Sequence, residues 1–326
     1  MTDSAFRFYK HPQTGWRVAR LSCPGPDPRK GGTVAQFVPE LGSNLFSFQV
    51  DGVEYLSGLA EFQGGQRLFG TPILYPTPNR VRDSQFTFAG RTFGFEPNDG
   101  PNFLHGLVRE TPWICDEGIV TEESVSVSTR IRFEPRTAIH RWFPIRNTLE
   151  VTYTLKPGVI RFDFGIRNDD EKQLLPFGLA IHPYFRVIGG RGDVRLEVPA
   201  QKWMEAVDLL PTGALIDLED GPADLRQPTS LDGLYLDDVF WGLVPDKPQV
   251  IYYDSIGKRV TLRASDLFTH SVVYTEPPAF FCVENQTCST DAHNLYARGL
   301  RKEAHLTILQ PGESITAWIE IAVSDQ

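Results

Sequence analysis

Nowhere in the 326 residues do 18 apolar residues run together, and the opening MTDSAFRFYKHPQTGW has no positively charged stretch followed by an apolar block. The first absence argues against a membrane-crossing helix and the second against a secretory leader, so a soluble, cytoplasmic protein is expected. Basic charge is also short: 32 Lys and Arg stand against 41 Asp and Glu, a net of -9. Phosphate-backbone binding draws on clustered cations, so a nucleic-acid partner is not expected and a neutral small molecule fits better. Only four cysteines occur, Cys23, Cys115, Cys282 and Cys288, and none forms a CxxC pair. Neither a zinc cluster nor a disulfide framework is expected, and the thiols should be buried and free. The chain has no GxSxG elbow, no HExxH, no GxGxxG and no GKS/T loop. Serine nucleophiles, zinc proteases and nucleotide sites of those kinds drop out, and no metal or organic cofactor is predicted.

What remains is rich in β signals. In NTLEVTYTLKPGVIRFDFGIRND, Leu149, Val151, Tyr153 and Leu155 alternate with polar residues, Pro-Gly turns the chain, and Ile160, Phe162, Phe164 and Ile166 resume the period. Alternation on both sides of a turn predicts a hairpin. The same pattern recurs in SVSVSTRIRF, in QVIYYDSIGKRVTLRA, around Ala89 and Gly90, and on either side of Pro311 and Gly312. Helix is expected to be minor, its best candidate being the short, glycine-broken SGLAEFQGGQ. With no internal repeat and no low-complexity linker, residues 1–326 are expected to form one domain, an all-β fold built as a large antiparallel β-sandwich.

Polar groups gather in four segments: PTPNRVRD (76–83), NFLHGLVRETPW (102–113), AIHPYF (180–185) and FFCVENQT (280–287). Glu284 follows four apolar residues, where a carboxylate either finds a partner or has its pKa raised. A raised pKa would suit a general base, although a strand-end glutamate facing water fits the same pattern. His182 sits in an apolar run before Pro183, Tyr184 and Phe185, and reads either as a core histidine or as an acid with an imidazole pKa near about 6.5. His105 precedes Gly106, which permits close approach of backbone or ligand. Arg80 and Arg82 read equally well as solvated strand residues, and Asp237 and Asp238 as a turn-capping pair.

Taken in order, these segments resemble the aldose 1-epimerase (galactose mutarotase) family. PTPNRVRDSQFTFAGRTF resembles its Asn-Arg segment and hairpin, LHGL and IHPYF its two histidine motifs, and CVENQT its Glu-x-Gln segment. PELGSNLFSFQVDGVEYL and LQPGES resemble its opening and its end, so the resemblance spans nearly the whole chain. It implies a galactose-mutarotase-like sandwich with an open sugar cleft, and roles for particular residues. Glu284 would be the base that takes the anomeric hydroxyl proton, and His182 the acid that protonates the ring oxygen. His105 would steady the developing charge, while Arg80 and Asp237 would hold hydroxyls, Asp237 matching the family's acidic position better than Asp238. Glu284 and His182 are expected to face one another across a gap that one sugar ring bridges. Two alternatives accompany this reading. One is a hexose-6-phosphate mutarotase, with Arg109 and Arg82 as phosphate donors; the other is a non-catalytic carbohydrate-binding sandwich.

Overall fold

The protein is described here by a computed structural model covering residues 4–27, 29–58 and 69–326. Alternating residues become strands because each second side chain can be buried against a neighbouring sheet. Asn147–Lys156 pairs antiparallel with Val159–Asn168 across Pro157 and Gly158, with Leu149 opposite Ile166 and Val151 opposite Phe164. Ser314–Asp325 pairs with Val159–Asn168 on one side and with Lys258–Ala264 on the other. These strands form the centre of a ten-stranded sheet, and Val125–Phe133 and Gln249–Tyr253 extend it in opposite directions.

A second sheet of eight strands is built around Asp237–Trp241, His270–Tyr274 and Phe280–Gln286, and a third of five strands is a meander from Ala5–Lys10 to Val53–Glu54. One core joins all three. Phe162 and Ile319 from the first sheet, Phe281 and Val283 from the second, and Phe37 and Phe48 from the third belong to a single cluster of buried side chains. Phe37 stacks on Tyr153 at 4.6 Å between ring centroids, one of the contacts that tie the meander to the ten-stranded sheet. The fold is therefore an all-β sandwich of antiparallel sheets, as expected.

Turn chemistry explains the tight hairpins. Asp51 and Gly52 take φ of 52° and 84°, and Ala89 and Gly90 take 49° and 77°. Two consecutive positive values match the right-handed twist of the flanking strands. The segment around Pro311 and Gly312 differs from its expected hairpin: Thr307–Leu309 pairs with Leu175–Phe177, while Ser314–Asp325 joins the ten-stranded sheet. A Pro-Gly turn reverses the chain, but the partner of each strand is set by which edge is open to it. The short helices Ala138–Trp142, Ala292–Ala297 and Arg301–Ala304 were not anticipated, because six residues or fewer are too few to display a 3.6-residue stripe. The candidate helix SGLAEFQGGQ lies outside the described residues apart from Ser57 and Gly58. No helix among the described residues is long and apolar enough to cross a membrane.

Candidate active site

Every residue of Phe280–Gln286 is buried, because both faces of this strand are covered. Phe281 and Val283 enter the main core, so Phe280, Cys282, Glu284 and Gln286 point to the opposite side. Register then fixes what stands beside them. Tyr274 pairs with Cys282 and with Asp237, and Val272 pairs with Glu284 and with Val239. On the other flank Ala180 pairs with Gln286 and Tyr184 with Cys282, which brings His182 opposite Glu284. Pro183 has no N–H for a ladder, and the His182 amide donates instead to the Pro72 carbonyl at 2.9 Å. The pairing therefore breaks at His182, opposite the buried carboxylate.

The result is a contact. His182 Nε2 lies 3.1 Å from Glu284 Oε1, with side-chain exposures of 7% and 2%. This corrects the expected gap of one sugar ring. The acid and base that the resemblance implies would act on two oxygens bonded to one carbon, and such a pair would stand side by side rather than across the ring.

A second, shorter device presents His105 and Arg80. Arg80–Val81 pairs with Phe103–Leu104, and the His105 amide donates to the Asn79 carbonyl. His105 and Gly106 both have positive φ, 70° and 68°, and a Cβ on Gly106 would fall 2.4 Å from the Tyr75 carbonyl oxygen. Only glycine passes that point without strain. The turn sets the His105 ring perpendicular to that of His182, with centroids 5.0 Å apart. Arg80 Nε donates to Asp99 at 2.7 Å, and its Nη2 lies 3.8 Å from Asp237.

Asn79, Arg80, His105, His182, Asp237 and Glu284 line one cavity of about 320 Å³. Asp238 points away from it and accepts from Trp203 Nε1 at 2.9 Å, so strand alternation separates the two neighbouring aspartates. Arg109 is not in that cavity. It lines an adjoining one of about 250 Å³ that shares His105, His182 and Tyr184 as a wall. Arg82 lines neither cavity; its guanidinium lies 3.7 Å from the buried Asp291. The Arg109 and Arg82 phosphate fork considered from sequence is therefore not assembled.

Burial governs the titration of the central pair. Desolvation pushes Glu284 well above the usual carboxylate range, reinforced by Asp237 and opposed by the Gln286 amide, which donates to Glu284 Oε2 at 3.2 Å. Desolvation lowers His182 to about 3, with Arg109 adding to the effect. This corrects the expectation of an imidazole near its solution value, since a ring this deep in protein cannot hold its charge as it does in water. His105 is also lowered, by burial first and then by His182 and the two arginines. Both shifts in the central pair favour the arrangement with one proton between Glu284 and His182 and no net charge.

A sequence profile described as aldose 1-epimerase matches residues 29–322. The chain belongs to the aldose 1-epimerase family. Its relatives include the chromosomal LacX protein of Lactococcus lactis subsp. lactis, 28% identical over 59% of this chain and 62% of that one. Galactose mutarotase of Sus scrofa is 27% identical over 47% of this chain and 44% of its own. The aligned region thus spans less than two thirds of either relative. Among solved structures, a galactose mutarotase-like protein from Clostridium acetobutylicum superposes with a TM-score of 0.85 at 18% identity, covering 99% of both chains. Galactose 1-epimerase from Lactobacillus acidophilus gives 0.78 at 16% identity, again over 99% of both. Identities this low establish a shared fold.

As an aldose 1-epimerase family member, the chain has more in its cleft than the motifs singled out in sequence. Leu209, Val272, Tyr274 and Glu276 complete the wall of the larger cavity, and Asp99 fixes Arg80 from behind. Cross-strand register brings in Val272 and Tyr274, and no local sequence signal marks them. Gln286 joins Glu284 on one face because a two-residue spacing on a strand puts both side chains on the same side.

Proposed function

We propose that the chain is an aldose 1-epimerase acting on a free aldohexose, with Glu284 as base, His182 as acid, His105 steadying the ring oxygen, and Arg80 and Asp237 holding hydroxyls. The reacting domain is taken as residues 1–326, a reading supported by a family match from 29 to 322. The observation that carries the proposal is the contact between a buried carboxyl and a buried imidazole on a cavity of sugar size.

In the reactive arrangement Glu284 is a carboxylate and His182 an imidazolium, which together hold the same single proton as the neutral pair. Glu284 takes the proton from the anomeric hydroxyl while His182 gives one to the ring oxygen. The bond between C1 and the ring oxygen breaks, leaving the open aldehyde. Rotation about C1–C2 and reversal of both transfers closes the other anomer. Ring opening leaves Glu284 protonated and His182 neutral, the forms that burial favours. Once that charged arrangement forms, desolvation makes the carboxylate a stronger base and the imidazolium a stronger acid.

Arg109 in the adjoining cavity is the one observation that supports a phosphorylated substrate, and a lone arginine is a weaker phosphate clamp than a fork of two. Interconversion assays on galactose, glucose and glucose 6-phosphate separate these readings. Fast interconversion of a free hexose is expected, with Glu284→Gln lowering the rate about 100-fold to 10,000-fold while sugar binding persists. Preference for the phosphate ester moves the substrate assignment, and sugar binding without any acceleration would falsify the enzymatic reading.

A further inference from the structure

The proton transfers above use no thiol, yet Cys282 stands on the same face of Phe280–Gln286 as Glu284, one side-chain position away. A ring nitrogen of His182, the sulfur of Cys282 and a carboxylate oxygen of Glu284 all lie within 4.8 Å of one another, and all three residues are buried. We propose that His182, Cys282 and Glu284 form a site for a thiophilic divalent cation, Zn²⁺ in particular, whose occupancy withdraws the acid–base pair from sugar and so inhibits the reaction.

Geometry supports a tetrahedral ion. Zinc bonds of about 2.3 Å to sulfur and about 2.0–2.1 Å to nitrogen and oxygen place donors roughly 3.3–3.6 Å apart. The His182–Glu284 separation is 3.1 Å and no two of the three donors are more than 4.8 Å apart, so the set stands close to the spacing a zinc ion requires. The donor set selects the metal. Sulfur and imidazole suit Zn²⁺, whereas Mg²⁺ and Ca²⁺ require oxygen ligands. His182 and Glu284 line the 320 Å³ cavity, which leaves a fourth position open to a water or a sugar hydroxyl.

Charge balance points the same way. Thiolate and carboxylate together cancel the two positive charges of the ion, so the occupied site is neutral beside the apolar wall of Tyr184, Phe280 and Tyr274. Thiolate and carboxylate are the forms that bind such an ion, so binding strengthens as pH rises.

Inhibition rests on the epimerase reading, whereas metal binding does not. The test uses Co²⁺ as a spectroscopic probe on the purified, reduced chain. One equivalent is expected to give a sulfur-to-cobalt charge-transfer band with tetrahedral ligand-field absorption, displaced by Zn²⁺. The band should vanish in Cys282→Ser and, as a second ligand deletion, in Glu284→Gln. With Zn²⁺ at about ten times its dissociation constant, interconversion should fall about tenfold by mass action, and Cys282→Ser should resist. A folded wild-type chain with no such band, or a band that survives in Cys282→Ser, overturns the proposal. A band that appears and is lost as stated, in a chain inactive on every sugar, upholds the metal site and removes the epimerase reading.

Discussion

At the scale of single residues, the chemistry proposed here rests on two groups that burial pushes in opposite directions. Glu284 is raised by desolvation and His182 is lowered to about 3 by the same cause. In free enzyme the pair holds one proton across the middle of the pH range. It gains a second below the low apparent pKa, and loses its only proton above the high one. The two values belong to the pair as a unit. The expected profile of kcat/KM is therefore a plateau reaching well into acid, with no fall near about 6.5, where an unperturbed imidazole titrates. Interconversion measured from pH 4 to pH 9 checks this, and a half-drop in rate close to the solution value of histidine would contradict the burial argument.

Elements matter because they turn sequence neighbours into opposed groups. The two short pairings on either side of Pro183 put His182 against Glu284, and the short ribbon of Arg80–Val81 with Phe103–Leu104 delivers His105 and Arg80 to the same cavity. The turn after that ribbon has almost no tolerance. Gly106 has a φ of 68° and a backbone carbonyl at 2.4 Å from where a Cβ would sit. Gly106→Ala is expected to cost more than about 1 kcal/mol in urea unfolding, since alanine pays both for the left-handed backbone and for the clash. Because the displaced loop carries His105, the rate should fall as well. Full stability and full activity in this variant would show that the turn has slack the geometry does not suggest.

Across the whole molecule, one core shared by three sheets holds the cleft residues in register. Phe162 is fully buried on the central strand Val159–Asn168 and lies 5.1 Å from Tyr153 in an edge-on ring contact. Phe162→Ala is expected to lower unfolding stability by about 3–5 kcal/mol, measured by denaturant titration. Phe162 lines neither cavity, so KM should hardly change at temperatures where the variant stays folded. A large change in KM with unaltered stability would mean that the core and the cleft are coupled in another way.

Much of this architecture was legible in the chain itself. Alternation marked the paired strands at 147–168, and Ala-Gly marked a hairpin turn, because side-chain period and turn preference are local properties of the backbone. The apolar setting of Glu284 and the glycine after His105 were also visible without coordinates, and the structure brings both residues to one cavity. Local patterns were silent about which strand edge would accept Thr307–Leu309, and they gave no sign of helices too short to show a period. They also left open whether Arg109 and Arg82 would meet. Above all, the 3.1 Å contact between His182 and Glu284 arises from residues about a hundred positions apart in sequence. Sequence determines what each side chain can do. Only tertiary packing decides which groups lose their water together, and that desolvation is what sets their proton affinities.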